Sequence, residues 1–172
     1  MIKYILRPLF LLSALVILLI TGCKKEKNTI CPYDDTPAVA SAAEIAFLQD
    51  YVTTHSLNLQ QHSSGVFFVI DSTGSGTSPS LCSVIRVKYE GWLLNGNLVD
   101  YNYSTTGISF TLGELIKGWQ MLLPLIKPGG AITLYIPPSL AYGTRTIRDN
   151  NGNVIIPSGS YMIFDISLLD VQ

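Results

Sequence analysis

The chain has 172 residues, room for one domain of ordinary size plus a leader, with a core large enough to fold without staples. Its formal net charge is -1 and it has no basic patch interleaved with aromatics, which removes the usual grounds for expecting nucleic acid as a partner. Hydrophobic residues make up 48% of the chain, and much of the excess precedes Cys23, where it reports targeting rather than core.

Residues 1–22 read as an export signal. Lys3 and Arg7 provide a positive start, and residues 9–20 form a run that is apolar except for Ser13. About a dozen residues suits the apolar stretch of a signal peptide, whereas a membrane-spanning helix needs ~20. Leu19-Ile20-Thr21-Gly22-Cys23 resembles the bacterial lipobox. That resemblance implies that Cys23 becomes the lipidated first residue of a chain held to a membrane by acyl groups. The alternatives are an ordinary signal peptide with an incidental cysteine and an uncleaved anchor helix, the latter opposed by Arg7 and Pro8, which interrupt any lengthening of the run. Residues 23–40 read as a tether, with Lys24, Lys25 and Lys27 near the membrane and Pro32, Asp34, Asp35 and Pro37 disfavouring regular structure. No aspartate follows Cys23 directly, and only Glu26 interrupts the lysines. By resemblance to known bacterial lipoproteins, this points to the outer membrane and its periplasmic face.

Residues 41–64 are expected to hold one helix and a connector. Ser41-Ala-Ala-Glu44 fits a capping box, and Ile45, Leu48 and Val52 share a face of a helix expected to end near Thr54. So short a helix reads as a packed appendage rather than a dimerisation arm. Cys31 and Cys82 are permitted a disulfide in an oxidising compartment, but nothing in their spacing requires one, and two free cysteines is the plainer expectation. His55 and His62 lack ligands at metal spacing, so neither metal nor cofactor is called for.

Residues 65–172 read as the main domain. Val66, Phe68 and Ile70 alternate with Phe67 and Val69, while Ile85, Val87 and Tyr89 alternate with Arg86, Lys88 and Glu90. This is the pattern of an antiparallel sheet with one wet face. Asn95-Gly96 marks a tight hairpin. Residues 131–136 form a further strand, and in the last strand, over 161–171, Met162, Phe164, Ile166 and Leu168 share a face. The expectation is an α+β fold: about five strands around one short helix over 114–123, stopped by Pro124.

Residues 110–143 carry the chemistry: a strand, a brief helix with Leu115, Ile116 and Trp119, a Pro-Gly-Gly turn, then a strand ending in two prolines and Tyr142. This makes a small apolar box with one or two hydrogen-bonding groups and no nucleophile, base or metal ligand. Such a box suits binding an apolar, kinked segment and changing its conformation. Val87-Lys-Tyr89-Glu-Gly91, Leu115-Ile116-Lys-Gly-Trp119, Ala141-Tyr142-Gly143, Ile155-Ile156-Pro157 and Phe164-Asp165, in that order from Gly65 onward, closely resemble the FKBP family of macrolide-binding peptidyl-prolyl cis–trans isomerases. The resemblance implies Tyr89, Asp100, Ile116, Trp119, Tyr142 and Phe164 as catalytic residues. It implies Val99, Ile108, Phe110, Leu115, Ile155 and Ile156 as substrate contacts, no cofactor, proline-containing unfolded or exported polypeptides as substrates, and macrolides as inhibitors.

Two departures from the family stand out. Val99 occupies the position before Asp100 where the family carries a phenylalanine, so the proline ring loses one wall unless Tyr103 or the long loop over 144–154 refills it. That loop also reshapes the lip where substrate side chains would rest. An enzyme for exported proteins is one reading; a chaperone or binding module with an impaired pocket is the other.

Overall fold

The two-residue periodicity of the sequence builds one antiparallel sheet. The computed structural model describes residues 31–172, so the export signal, Cys23 and the lysine run lie outside the described residues. The sheet contains β1 (Gln60–Gln61), β2 (Phe67–Ser72), β3 (Val84–Leu93), β4 (Leu98–Asn102), β5 (Ile108–Thr111), β6 (Ala131–Ile136) and β9 (Met162–Val171). A separate hairpin pairs β7 (Ile147–Arg148) with β8 (Val154–Ile156). The spatial order is β1-β2-β6-β9-β3, and two strands share the last edge. β5 pairs with Val84 to Val87 of β3, and β4 pairs with Tyr89 to Trp92. The expected five strands become seven in the sheet: the two-residue β1 adds to β2, and β3, at 10 residues, is long enough to hold β5 and β4 end to end.

Ile85, Val87, Ile132, Leu134, Ile166 and Leu168 face inward and are at most 2% exposed. Helix α2 (Lys117–Leu122) crosses this face. Gly118 sets how closely it can lie, since a Cβ there would stand 2.7 Å from Ile136 Cδ1. The α2 region is more broken than the expected continuous helix over 114–123. A 3-10 turn spans Leu112–Glu114, Leu115 and Ile116 are extended (ψ 175° and 149°), and α2 begins only at Lys117. Pro124 does not end a helix in coil; it sits inside a second 3-10 turn, Leu123–Leu125, near whose start the missing N–H is tolerated.

Helix α1 (Ala42–Thr54) ends where expected, and its capping box is formed. Leu48 and Val52 bury against Phe67, which by strand alternation faces away from the main core. The helix therefore covers part of the sheet's outer surface.

The tether behaves differently from its sequence reading over its second half. Residues 31–40 form no regular element, yet they are fastened down as a strap. Cys31 and Cys82 form a disulfide, with 5.6 Å between their Cα atoms, and so are not free thiols. The Tyr33 hydroxyl donates to Glu114 Oε1 (3.0 Å), Lys117 Nζ donates to the Asp34 carbonyl (3.2 Å), and Ala40 is buried. Among the described residues, no helix is long and apolar enough to cross a membrane.

Candidate active site

Five stretches of chain converge over α2. Strand alternation sends Tyr89 inward from β3 and Phe164 inward from β9, and Phe110 follows from β5. Gly91 makes room for the Phe164 ring; a Cβ there would meet Phe164 Cε1 at 2.6 Å. Trp119 rises from α2 at 4% exposure. Its ring meets Tyr89 edge-on at 5.4 Å and Phe164 edge-on at 5.3 Å. Together with Asp100, Phe110, Leu115, Ile116 and Tyr142, these rings enclose a cavity of about 160 Å³. A larger hollow of about 340 Å³ lies on the sheet's wet face, but Lys88, Glu90, Asp165 and Ser167 line it, and it lacks the apolar walls.

The polar groups of the cavity divide into occupied and unoccupied. The Tyr89 hydroxyl donates to Asp100 Oδ2 at 3.0 Å. Burial first, then that bond and the carboxylate's charge, push the Tyr89 hydroxyl far above its ordinary range, so it remains a protonated donor. Burial likewise raises Tyr142, with Asp100 adding and Arg145 opposing; no hydrogen bond to its hydroxyl contributes. The Ile116 N–H has no backbone acceptor among the described residues, because the extended break before α2 takes it out of any turn. Trp119 Nε1 is buried without a partner among the described residues. Ile116 and Tyr142 thus line an otherwise mostly apolar cavity while their N–H and hydroxyl have no acceptor among the described residues.

All six residues expected to be catalytic line this cavity, as do Phe110 and Leu115. Val99, Ile108, Ile155 and Ile156 do not. Val99 falls at the irregularity where β4 slips against Gly91 and Trp92, and a bulge re-aims a side chain, so it packs at the margin of the core. Ile108 sits on the edge strand and is 37% exposed, whereas Ile156 is buried in the core. Tyr103 does not refill the position of Val99; it is exposed and stacks on Tyr101 at 4.5 Å. The 144–154 stretch is largely the β7–β8 hairpin, closed by Asp149, whose Oδ1 accepts from the Asn151 and Asn153 backbone.

Gln120 was missed by the sequence reading. Its Nε2 donates to the carbonyls of Gly113 (2.9 Å) and Leu115 (2.6 Å), holding the break that presents Ile116. A glutamine on the buried side of a helix beside Trp119 was the available signal.

An antiparallel sheet packed on a short helix, with an aromatic cavity lined by both, defines an α+β protein with a small pocket of largely apolar lining. Comparison with known proteins gives the family. Residues 76–169 match the family described as FKBP-type peptidyl-prolyl cis-trans isomerase. The protein named FKBP-type peptidyl-prolyl cis-trans isomerase FkpA of Buchnera aphidicola subsp. Baizongia pistaciae is 44% identical over 111 residues, covering 64% of this chain and 42% of that one. The peptidyl-prolyl cis-trans isomerase Mip of Coxiella burnetii is 34% identical over 110 residues, covering 63% and 46%. The crystal structure of FkpA from Escherichia coli is similar with a TM-score of 0.63 at 34% identity, covering 76% of this chain and 60% of that one. The chain belongs to the FKBP-type peptidyl-prolyl cis-trans isomerase family. It spans less than half the length of the Buchnera and Coxiella relatives.

Proposed function

We propose that this protein accelerates cis–trans isomerisation of X–Pro bonds in exported polypeptides, working from a lipid anchor at Cys23 on the periplasmic face of the outer membrane. The observation that carries the isomerase reading is the cavity itself: four aromatic rings around Trp119, with the Tyr142 hydroxyl and Ile116 N–H free to donate.

Rotation about a prolyl amide breaks no bond, but loss of conjugation sets a barrier of ~18–20 kcal/mol. The twisted amide is less charge-separated than the planar one. A pocket that strips water from the carbonyl therefore disfavours the planar ground state relative to the transition state, and that difference is what catalyses. Trp119, Tyr89, Phe110 and Phe164 supply the apolar surround. Tyr142 and the Ile116 N–H fix the carbonyls on either side of the proline, and Asp100 holds Tyr89 in place. Val99, Ile108 and Ile155 would meet the flanking residues of an extended peptide rather than the proline ring, while Ile156, 3% exposed, would support that rim from within the core. Residues 65–172 form the isomerase domain on this reading, with 41–64 as its appendage.

A protease-coupled assay with peptides differing in the residue before proline tests the activity. Rates at background across the series, with unfolded protein still bound, would make the chain a binding module instead. Tyr142→Phe removes one hydrogen bond and leaves the ring, so kcat/KM should fall by ~0.5–1.5 kcal/mol, about 2- to 12-fold, with stability little changed.

The anchor reading is supported by the Leu19–Cys23 motif and by the Cys31–Cys82 bond, which suits an oxidising compartment. Cys23→Ala should block processing or release the protein from membranes, as fractionation would show. A variant that is processed normally and still sediments with membranes removes the lipid anchor.

A further inference from the structure

The segment that carries Tyr142 begins at two prolines, and neither can donate a backbone hydrogen bond. In the 3-10 turn Pro138–Leu140, the first available N–H is therefore that of Ser139. It is taken by a side chain 95 residues away: Glu44 Oε1 accepts the Ser139 N–H at 2.8 Å, and Glu44 Oε2 accepts the Ser139 hydroxyl at 2.9 Å. The same carboxylate closes the capping box of α1, accepting from the Ser41 N–H (2.9 Å) and hydroxyl (2.8 Å). Beyond Ser139, the N–H groups of Ala141 (3.0 Å) and Gly143 (2.7 Å) both return to the Pro138 carbonyl. Tyr142 hangs between those two bonds, so the place of its ring follows from the Pro138–Ser139 peptide that Glu44 grips. Desolvation works against the charge on Glu44, yet the hydrogen bonds from Ser139 and Ser41 outweigh it and hold its carboxyl below the usual range. Farther along α1, Phe47 stacks on Tyr161 at 4.5 Å, a second grip on the same side of the domain.

We propose that Glu44 is a positioning residue for the isomerase site: by capping the start of α1 and the start of the Pro138–Leu140 turn with one carboxylate, it fixes where the Tyr142 hydroxyl meets a substrate carbonyl. This rests on the isomerase reading above. It gives the N-terminal helix a part in the site, although none of its residues lines the cavity.

A double-mutant cycle tests it. Prolyl isomerase kcat/KM is measured for wild type, Glu44→Ala, Tyr142→Phe and the pair, alongside NMR signals of the Ser139 amide and the Tyr142 ring. If Glu44 acts through Tyr142, Glu44→Ala loses no more than the about 2- to 12-fold expected of Tyr142→Phe, and the pair is no slower than Tyr142→Phe alone. Glu44→Gln, which keeps an acceptor for the Ser139 N–H, should recover part of the loss, and it replaces Glu44→Ala in the cycle if that variant does not fold. Val52→Ala loosens the packing of α1 without touching the carboxylate, and its effect should add to that of Tyr142→Phe. Additive effects of Glu44→Ala and Tyr142→Phe, or unchanged Tyr142 ring signals in Glu44→Ala, overturn the proposal. Should wild type show no prolyl activity, the isomerase reading falls, and the NMR signals alone decide whether Glu44 positions Tyr142.

Discussion

Trp119→Ala should lower folding stability by ~3–5 kcal/mol and reduce isomerase activity well beyond the effect of Tyr142→Phe. The indole is 4% exposed and is the one surface that both Tyr89 and Phe164 meet edge-on. Removing it merges the vacated space with the 160 Å³ cavity, so the neighbouring rings lose contacts that no small collapse restores. Trp119→Phe should be far milder than its lost volume suggests. The Nε1–H is buried without a partner among the described residues, so phenylalanine discards an unsatisfied donor while keeping an aromatic floor. Urea denaturation checks both variants, with a shifted midpoint at unchanged slope indicating a true stability loss. A Trp119→Ala protein as stable as wild type would mean that the indole is not part of the core.

Reducing the Cys31–Cys82 bond, or replacing both cysteines with serine, should lower stability by ~2–4 kcal/mol. The bond spans a sequence separation of 51, so the oxidised unfolded chain is denied many conformations that the reduced one regains. The contacts of the strap should loosen too, since Tyr33 to Glu114 and Lys117 to Asp34 are exposed hydrogen bonds that depend on the strap being held nearby. Denaturation with and without reductant, followed by hydrogen exchange at residues 31–40, separates the two effects. Equal midpoints would show that the strap is held by packing alone.

Much of this architecture was legible because it is periodic. The inward faces of β3, β6 and β9 follow from two-residue alternation, the Asn95-Gly96 turn from its residue types, and α1 from its capping box. The aromatic cavity followed from the order of motifs around Tyr89, Trp119, Tyr142 and Phe164. What stayed hidden depends on partners distant in sequence. Val99 is expected at the pocket from the family pattern around Asp100, and that pattern does not disclose that the register of β4 slips at this residue. The continuous helix over 114–123 was a fair reading of Leu115, Ile116 and Trp119, but Gln120 donates to carbonyls of the preceding stretch and stabilises the break. Cys31 with Cys82, and Glu44 with Ser139, are each pairs that local pattern cannot join.

The sheet's margins bear on what becomes of a bound polypeptide. One border is the two-residue β1 followed by the rest of β2, which β1 covers only at Phe67 and Phe68, and the other is divided between β5 and β4, of four and five residues. A long open border is a template on which a foreign strand can add and stay, and short interrupted borders deny it. Under the proposed function, an unfolded chain would be offered a place to bury a side chain but only short stretches of backbone to zip against.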